Sequence, residues 1–573
     1  MGIKHFFTWF KTNFSDQIEK LPKDINVQDL DVVIDNLMID MNGIIHNSAQ
    51  KIYEYGSFKR NNRLLGKNKT YVNFKQKNIK LYEDVCKSVD IILNVVKPTK
   101  RLIICIDGPA PISKQNQQRQ RRYRSAMESL NSSCPFDSNS ITPGTQFMDN
   151  LSKYMDFYIK KKINEDSYWK NIEVIFSNEK APGEGEHKIV NYMRYYGDEN
   201  ETYCINGLDA DLIMLALGTH LPKFYILRED MYDPTNEYFL INIGEVHHHL
   251  SELIRWQSEK FTFDKVSAIN DFIFLCFMVG NDFLPHIPSI EIIENGLELI
   301  LNVYKEVGTG YGHITENKNN KLYFIKNTLK IFLETIGNYE QENFENKLNS
   351  KRSFFKDELL SNCSTQNPEG KWEVNINKYR KDYLINFTQD YPEENIVHEY
   401  LEGMQWVLSY YTRGVPNWTW NYKHHYAPPA SILAKYMDCF EFVEYGKTIP
   451  STPFQQLLCV LPPKSSNLIP YPLNTLLTNE DSPLKEYCPE SLTIDYSGKT
   501  KEWEGIVLLP MVDIDLVKKV YLSHLNSLKP QDSRRNIMGR SFIYQYNPKI
   551  CYEFTSYYGK ISNCNVKYNI IDL

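Results

Sequence analysis

The sequence predicts an α/β fold, in which a mostly parallel central sheet is flanked by helices and followed by a largely helical, aromatic-rich second half. Two observations support this prediction. In the first half, short apolar runs typical of buried strands alternate with amphipathic helical patterns. From residue 371 onward the chain is instead rich in Trp, Tyr and Pro, which indicates helical and irregular structure.

Length and composition indicate a globular protein with enough apolar material for a large core. The 573 residues are 42% hydrophobic, 13% aromatic and 24% charged, and the net charge of −6 excludes a polycation that binds nucleic acid indiscriminately. Any nucleic-acid contact therefore needs a local basic surface. The eleven cysteines form no CxxC pair and no zinc-ligand spacing, which predicts buried thiols in a reducing compartment.

No segment predicts a cleavable signal or a membrane anchor. The amino-terminal stretch MGIKHFFTWFK is too short and too interrupted for a signal sequence, and Phe6 stands where a myristoylation signal needs Ser or Thr. The longest strongly apolar stretch, 272–280, is too short to span a bilayer. We therefore expect a soluble intracellular protein with no membrane partner.

The first predicted strand of the sheet ends on an acidic residue. In NLMIDMNGIIHN, at 36–47, the apolar run closes with Asp40 and a turn signal follows it. The carboxylate is therefore expected at the mouth of the sheet. Residues 56–78 are rich in Lys, Arg and Asn, which predicts an exposed loop or insertion, and a helical pattern resumes at 79–96.

The segment RLIICIDGPAPISKQNQQRQRRYR, at 101–124, joins a strand that ends in Asp107 to a strongly basic helix. Lys114, Gln118 and Arg121 are spaced i, i+4 and i+7 and therefore share one face of this helix, and Arg122 lies beside Arg121. Ammonium and forked guanidinium donors with an amide between them suit a terminal phosphate. A solvated basic face is the alternative, but the position directly after an acid-ending strand favours phosphate binding.

The following segments continue the alternation of strands and helices. An amphipathic helix is predicted within 136–162, and a strand, a Gly-rich turn and a helix are predicted within 172–194. A strand, an acidic turn and a helix follow at 203–218, and a further strand at 223–229. A long helix near 266–280 then ends in VGNDFLPH. This order predicts sites at the carboxyl ends of the strands.

Seven carboxylates recur at strand ends or helix openings inside apolar stretches. They are Asp40, Asp107, Glu184, Glu186, Asp209, Asp211 and Asp282. Mg²⁺ prefers oxygen ligands, and two such ions about 4 Å apart activate a water and stabilise the leaving oxygen of a phosphodiester. Each acid alone has a structural alternative, because Glu184 and Asp209 could cap helices and Asp282 could end one. The shared pattern favours a metal-dependent nuclease, whose cations offset the repulsion between the acids.

These patterns divide the chain into four predicted parts. Residues 1–245 form a nuclease domain with the acidic centre and the basic helix, and 246–307 form a helical continuation that carries the last acid. Residues 308–370 are polar and weakly patterned, which predicts a divergent insertion or linker. Residues 371–573 are predicted to form a mainly helical domain.

Many motifs of the sequence resemble those of the XRN family of 5′→3′ exoribonucleases. In the first half the similarity includes MGIKHFFTWF, LMIDMNGIIHN, CIDGPAPISKQNQQRQRRYRSA, FDSNSITPGTQFM, APGEGEHKIVNYMR, GLDADLIMLAL and FMVGNDFLPHIP. In the second half it includes YLEGMQWVLSYYTRGVPNWTWNYKHHYAPPAS, PFQQLLCVLPPKSSNLIP and EWEGIVLLP. The resemblance covers most of the chain apart from 56–78 and 308–370, and an ordered set of this length is specific.

The resemblance implies a PIN/FEN-like central sheet and assigns roles to residues of this chain. The seven acids would form a centre for two Mg²⁺ ions, with Mn²⁺ as a substitute. The four residues of the basic helix, Lys114, Gln118, Arg121 and Arg122, would bind the 5′-monophosphate of the substrate. His46 would stack on a base near the 5′ end, and Trp503 would match the family's stacking tryptophan. Stacking is sequence-tolerant because every base offers a π face.

The resemblance also implies an activity and its setting. The activity is processive 5′→3′ degradation of single-stranded RNA with a 5′-monophosphate to nucleoside 5′-monophosphates, in mRNA decay. The decapping machinery is a candidate partner, and a monomer is expected. The expected location is the cytoplasm, with the nucleus left open, and a virion or viral factory if the lineage is viral.

Some features depart from the family or leave alternatives open. Lys4 replaces the usual Pro, and the chain stops near the end of the family's catalytic core, which puts docking through long carboxyl-terminal extensions in doubt. The Asn-, Lys-, Ile- and Tyr-rich composition points to an unusual lineage, a viral one included. A flap or PIN-type DNA nuclease shares the acidic α/β plan, and an inactive RNA-binding scaffold is a second alternative. The QNQQRQRR helix argues against the first, and the complete set of acids argues against the second.

Overall fold

A computed structural model describes most of the chain. The described residues are 3, 5–22, 25–58, 73–128, 134–229, 238–350, 355–388 and 391–573. Most of the predicted exposed loop at 56–78 lies outside these ranges, because 59–72 are not described. Where the chain is described again, Asn73 caps a helix that begins at Phe74 and reaches Val96.

Helices and strands alternate through the first half, as the sequence predicted. The α-helices of the described residues are α1 Phe6–Asn13, α2 Met41–Tyr53, α3 Phe74–Val96, α4 Ile112–Glu128, α5 Gln146–Glu165, α6 Gly185–Tyr196, α7 Asp211–Leu217, α8 Ile243–Leu253, α9 Lys265–Cys276, α10 Gly296–Tyr311, α11 Lys326–Asn349, α12 Glu358–Asn362, α13 Ile376–Thr388, α14 Glu393–Arg413, α15 Ala430–Tyr436, α16 Pro453–Val460, α17 Ile514–His524 and α18 Pro530–Arg535. The strands are β1 Ile18–Leu21, β2 Asn36–Asp40, β3 Arg101–Cys105, β4 Glu173–Ser177, β5 Tyr203–Asn206, β6 Phe224–Glu229, β7 Tyr238–Asn242, β8 Thr315–Lys318, β9 Lys321–Phe324, β10 Ser364–Gln366, β11 Trp372–Val374, β12 Thr493–Asp495, β13 Ile506–Leu508, β14 Ser541–Tyr546, β15 Tyr552–Ser556, β16 Gly559–Cys564 and β17 Val566–Ile571.

A nine-stranded sheet organises the described chain, in the order β1-β7-β6-β5-β2-β3-β4-β14-β17. The central strands from β6 to β4 pair in parallel, and the strands at both edges are antiparallel. The register sets Asp40 beside Cys105 and Ile39 beside Asn206, so the carboxyl ends of β2, β3 and β5 lie together. The predicted α/β fold is confirmed, with a sheet that is parallel at its centre and mixed overall.

Two apolar cores lie on opposite faces of this sheet. Met38 and Ile103 belong to the core that includes α6, α7, α9 and α14. Ile39 and Ile104, the next residues along the same strands, belong to the core beneath α2, α3 and α5. This alternation follows from the two-residue period of a strand and explains why these strands are apolar throughout.

The carboxyl-terminal half is largely helical, as predicted, but it also returns two strands to the central sheet. β14 pairs with β4, joining Tyr544 to Val174, and β17 pairs with β14. The sequence predicted helical and irregular structure in this part. One partner of β14 lies in the other half of the chain, and the β15–β16 hairpin separates β14 from β17, so no simple hairpin pattern marks these strands.

The predicted insertion or linker at 308–370 is built of regular elements in its described part. It contains the β8–β9 hairpin and the 24-residue helix α11. Leu333 and Ile336 of α11 are fully buried in the same core as α9. The segment is therefore packed into the helical half, while its status as an insertion stays a prediction.

The two halves interlock through α4. Arg119 Nη1 donates to the carbonyl of Pro510 at 2.7 Å, and Nη2 donates to the carbonyl of Tyr487. On α16, Gln456 accepts from the Ala110 amide at 2.8 Å. Among the described residues, no helix combines the length and apolar character that a bilayer span requires.

Candidate metal centre and phosphate pocket

Asp40 and Asp107 follow neighbouring strands of the sheet. Asp40 ends β2, and its side chain accepts a 3.4 Å hydrogen bond from the amide of Asn42. Asp107 follows β3 and accepts from the Asn42 side chain and, at 2.7 Å, from the amide of Gly185. A Cβ on Gly185 would lie 2.6 Å from Asp40 Oδ1 and 3.5 Å from Asp107 Oδ1. Glycine is therefore needed for α6 to approach both carboxylates.

The acids of the EGE and DAD motifs stand at the openings of α6 and α7. Glu184 occupies the N-cap position of α6, but its side chain makes no capping hydrogen bond. The N-cap of α7 is Ala210, so Asp209 does not hold that position. Glu184, Glu186 and Asp211 are buried. Helix capping therefore does not account for these acids, and the structural alternative fails for them.

Glu186, Asp209 and Asp211 form the tightest acidic group, with oxygens that all lie within 4.8 Å of one another. Glu186 Oε2 and Asp211 Oδ1 are buried and accept no hydrogen bond within the described ranges. Acceptors of this kind are costly inside a protein unless a cation or a donor satisfies them. An acidic, oxygen-only donor set of this geometry is compatible with a divalent metal ion.

The carboxylates raise one another's proton affinity. Burial and the charge of Asp209 raise the pKa of Asp211 to about 7. Burial and the Asp211 carboxylate raise the pKa of Glu186 well above its ordinary value. Burial, followed by the charges of Asp107 and Asp209, does the same to the pKa of Asp40. Asp40, Glu186 and Asp211 therefore favour bound protons or bound cations.

Lys114 of α4 reaches directly into this cluster. Its ammonium pairs with Glu184 and lies 2.7 Å from Asp282 Oδ2. Burial lowers the pKa of Lys114, but the charges of Asp282 and Glu184 outweigh it and hold that pKa well above its ordinary value. Although burial raises the pKa of Asp282, the ammonium holds it below its ordinary value. The basic helix and the acids are thus in contact, and the seventh acid joins the others through Lys114.

The remaining predicted phosphate ligands follow Lys114 along α4. Gln118 is buried, and its side-chain oxygen accepts from Gln456 at 3.2 Å. Arg122 Nε donates to Thr142 Oγ1 at 3.0 Å, while its buried Nη1 has no partner in the described part of the chain. Burial and the neighbouring Arg121 charge lower the pKa of Arg122 to about 9. Two adjacent guanidinium groups that repel each other favour an anion between them.

The two predicted stacking residues have different settings. His46 lies on α2, where its burial and the charges of Arg121 and Arg122 lower its pKa to about 3. A neutral imidazole therefore stands beside the arginines at neutral pH. Trp503 is 51% exposed, and its ring centroid lies 5.7 Å from that of His5. The structure brings His46 to the phosphate helix and leaves Trp503 at the surface.

Some residues of the site were not predicted from the sequence. Tyr410 of α14 donates a 2.7 Å hydrogen bond to Glu184 Oε1, and its ring stacks on His187 with centroids 3.7 Å apart. Asn42 donates to Asp107. His187 and Asn42 lie inside the APGEGEH and DMNG motifs, so a local signal existed for them. Tyr410 belongs to the second half, and no local pattern joins it to the acids.

Two family profiles match the chain. The profile described as the XRN 5′-3′ exonuclease N-terminus matches residues 1–230. The profile described as the Xrn1 helical domain matches residues 260–382 and 377–570. The chain belongs to the XRN family. The resemblance inferred from the motifs is thereby confirmed, and the helical-domain profile also spans the whole segment at 308–370.

Curated XRN proteins align with nearly all of this chain. The 5′-3′ exoribonuclease 1 of Saccharomyces cerevisiae is 28% identical over 96% of this chain and 45% of its own length. The Homo sapiens protein of the same name is 30% identical over 100% of this chain and 37% of its own length. The 5′-3′ exoribonuclease 1 of Schizosaccharomyces pombe is 29% identical over 97% of this chain and 51% of its own length. The chain spans about half the length of these XRN relatives, or less.

One solved structure shows a weak similarity. The catalytic core of Rad2 in complex with DNA substrate aligns with 76% of this chain at 12% identity and a TM-score of 0.34. A TM-score this low supports no conclusion about the fold or the activity of the XRN chain.

Proposed function

We propose that the chain is a processive 5′→3′ exoribonuclease that hydrolyses RNA with a 5′-monophosphate and releases nucleoside 5′-monophosphates. The observation that carries this proposal is the contact of Lys114, on the basic helix, with the carboxylates of Glu184 and Asp282. One side chain thus joins a cationic helix to an acidic cluster. Membership of the XRN family and the names of the relatives support the same reaction.

The acids are proposed to hold two divalent cations, Mg²⁺ or Mn²⁺. The proposed ligands are Asp40, Asp107, Glu184, Glu186, Asp209, Asp211 and Asp282. Support is strongest for Glu186, Asp209 and Asp211, because their oxygens lie within 4.8 Å of one another. When bound, the cations supply an activated water and offset charge on the leaving oxygen. Tyr410 and Asn42 orient Glu184 and Asp107 through hydrogen bonds.

The 5′-phosphate is proposed to bind along α4. Its ligands are Lys114, Gln118, Arg121 and Arg122, and the buried Nη1 of Arg122 is a donor without a protein partner among the described residues. Hydrolysis breaks the bond from phosphorus to the 3′ oxygen, so the phosphate remains on the next nucleotide. The new 5′ end carries the group that the pocket binds, which is a physical basis for processivity. A pocket that surrounds one phosphate excludes a triphosphate or a cap by size.

Base stacking and domain roles complete the proposal. His46, beside the arginines, and Trp503, at the surface near His5, are proposed to stack on bases. Residues 1–245 are proposed to supply the nuclease domain, and 246–307 the helix and turn that carry Asp282. Residues 371–573 are proposed to complete the pocket, which the bond from Tyr410 to Glu184 supports.

The first test compares one RNA prepared with four different 5′ ends. We expect rapid digestion of the 5′-monophosphate form in Mg²⁺, and slow digestion of the 5′-hydroxyl, 5′-triphosphate and capped forms. Omission of the cation is expected to stop all four reactions. Equal rates on all four ends would overturn the proposed phosphate pocket. Faster cleavage of flap DNA than of phosphorylated RNA would point to a structure-specific nuclease.

The second test separates catalysis from binding. Asp209→Asn removes a charge from the tightest acidic group, and we expect the rate of hydrolysis to fall by at least about a hundredfold. Binding of phosphorylated RNA, followed by fluorescence anisotropy, is expected to persist. Asp515→Asn, which changes an exposed acid in the first turn of α17, is the matched control. Full activity of the Asp209 variant would argue for a site elsewhere.

A further inference from the structure

A second cavity lies outside the site described above. It has a volume of about 250 Å³ and opens beside the amino terminus of α5. The lining residues that matter here are Gln146, Phe147, Tyr471, Lys529, Asp532 and Arg535. The proposed metal and 5′-phosphate ligands are not among the residues that line it. We call this cavity the Arg535 pocket.

Arg535 places a nearly buried guanidinium at the cavity. The residue is 7% exposed. Its Nη1 donates to the Gly144 carbonyl at 3.0 Å, and its Nη2 donates to Asp532 Oδ1 at 2.6 Å. The buried Nε has no hydrogen-bond partner among the residues that the structure describes. A buried donor of a charged group is costly to leave unpaired, so the positive charge of Arg535 is only partly balanced by its neighbours.

The amino terminus of α5 strengthens the preference for an anion. Gln146 and Phe147 are the first two residues of this 20-residue helix, and both line the cavity. Backbone N–H groups at these positions have no partner within a helix, and they carry the positive end of its dipole. The acid of this first turn, Asp149, is already paired with Lys153 and Lys180. Its charge therefore opposes an incoming anion only weakly.

Two exposed side chains indicate what the anion is attached to. Lys529 adds an exposed ammonium, so the cavity has two cations against the single carboxylate of Asp532. Tyr471 is 70% exposed and offers a flat ring at the rim. A guanidinium, an ammonium and a helix terminus select a phosphate, and an adjacent aromatic ring suits a base.

We propose that the Arg535 pocket binds a nucleotide, with its phosphate between Arg535, Lys529 and the start of α5 and its base against Tyr471. The phosphate belongs either to a free nucleoside 5′-monophosphate or to the backbone of an RNA. The proposal is independent of hydrolysis, because it requires only binding. The loop at 142–144 contacts both the phosphate helix and the Arg535 pocket. Thr142 accepts a hydrogen bond from Arg122, and the Gly144 carbonyl accepts one from Arg535.

The test is photolabelling of the full chain in EDTA, followed by peptide mass spectrometry. The probes are 8-azidoadenosine 5′-monophosphate, 8-azidoadenosine, and a 5′-hydroxyl oligoadenylate with one internal 8-azidoadenosine. We expect a phosphate-bearing probe to label the peptides that contain 467–471 or 529–535. The nucleoside without phosphate is expected to label them at most about one tenth as strongly. Inorganic phosphate is expected to compete.

The variants make the test specific to the pocket. Lys529→Ala is expected to reduce labelling about threefold and Arg535→Lys about tenfold. Lys519→Ala, which removes an exposed charge from α17, is the matched control and is expected to change nothing. A thermal unfolding scan checks the buried Arg535 variant, while Lys529→Ala keeps the test decisive if that variant unfolds.

The labelling pattern of the probes distinguishes the possible ligands. Labelling by the monophosphate but not by the oligonucleotide assigns the pocket to mononucleotides, and the reverse assigns it to the RNA backbone. Three results would each overturn the proposal. The nucleoside could label these peptides as strongly as the phosphate probes, or neither phosphate probe could label them. The third result is identical labelling of Lys529→Ala and Lys519→Ala. Because the cation is removed, none of these results depends on whether the chain hydrolyses RNA.

Discussion

Tyr410 is the residue through which the helical half contacts the acids. Its hydroxyl donates to Glu184, and its ring stacks on His187. Tyr410→Phe is expected to lower the single-turnover rate about tenfold at saturating Mg²⁺, because Glu184 loses a donor that orients it. Tyr422→Phe is the control, since the buried Tyr422 hydroxyl donates to the Tyr426 carbonyl and not to an acid of the site. Equal rates for both variants would contradict this role.

Arg121 is expected to contribute to the preference for a phosphorylated 5′ end. Its charge lowers the pKa of both Arg122 and His46, so Arg121 lies near both of these residues. Arg121→Ala is expected to reduce the rate ratio of 5′-monophosphate to 5′-hydroxyl RNA by about tenfold or more. Arg255→Ala, at an exposed arginine, is expected to keep the ratio. A ratio unchanged in the Arg121 variant would count against the pocket.

Asp211 makes the acidic cluster sensitive to pH. Its pKa is raised from 3.8 to about 7, so between these values the folded chain holds a proton that the unfolded chain has released. The contribution of Asp211 to metal-free stability is therefore expected to fall as pH rises from about 4 to about 7. Mg²⁺ affinity is expected to rise over the approach to pH 7, because the cation needs the ionised carboxylate.

Two titrations check this pH dependence. Urea unfolding in EDTA at pH 5, 6 and 7 measures the stability, and calorimetric titration with Mg²⁺ at pH 6, 7 and 8 measures the affinity. The stability lost or gained in Asp211→Asn, relative to the natural chain, is expected to change with pH, because only the natural chain carries the titrating carboxyl. A stability difference that stays constant from pH 5 to pH 7 in EDTA would show that Asp211 does not hold its proton in the folded chain.

At the scale of single residues, the sequence indicated where the acids lie but not which residues contact them. Asp40 and Asp107 follow apolar strands, and the ends of adjacent parallel strands must meet. Lys114 was assigned to phosphate only, because a helical wheel shows which residues share a face but not what that face touches. Tyr410 depends on the docking of α14, which no local pattern reports.

The start of α6 packs closely against two carboxylates of the site. A Cβ on Gly185 would lie 2.6 Å from Asp40 Oδ1 and 3.2 Å from the Cys105 carbonyl. Gly185→Ala is expected to push α6 away, abolish activity and reduce stability by about 1–3 kcal/mol. Gly310→Ala is the matched control, since its Cβ would meet no atom within 4 Å. The control is expected to be neutral or stabilising.

Activity assays and urea unfolding of both glycine variants measure these effects. Retained activity in the Gly185 variant would mean that α6 can shift without disturbing Asp40 and Asp107. At this scale the sequence predicted α4 and α6 from their periodicity. It did not predict the antiparallel addition of β14 and β17 to the sheet, because a pairing between distant segments leaves no trace in local alternation.

At the scale of the whole molecule, α4 contributes residues to the candidate site and also joins the two halves of the chain. One face presents Lys114, and the opposite face presents Arg119, which donates to the carbonyls of Pro510 and Tyr487. Arg119→Ala is expected to destabilise the fold by about 2 kcal/mol, since it leaves two acceptors without a charged donor.

Urea unfolding measured by circular dichroism checks this effect as a lower midpoint in a single transition. Arg255→Ala, at an exposed pair with Glu252, is expected to change stability by less than about 0.5 kcal/mol. Two separate transitions in the Arg119 variant would show that the halves fold independently. An unchanged midpoint would show that Arg119 does not help to hold the two halves together.

The ion pairs of Lys114 with two acids of the site have a consequence for the protein without metal or RNA. The ammonium pairs with both Glu184 and Asp282 and offsets part of their charge, so it acts as an internal counterion when no metal ion is bound. Under the proposed function, the same ammonium would also pair with the 5′-phosphate of the RNA. Lys114 would then stabilise the acidic cluster in the free protein and bind the substrate in the complex.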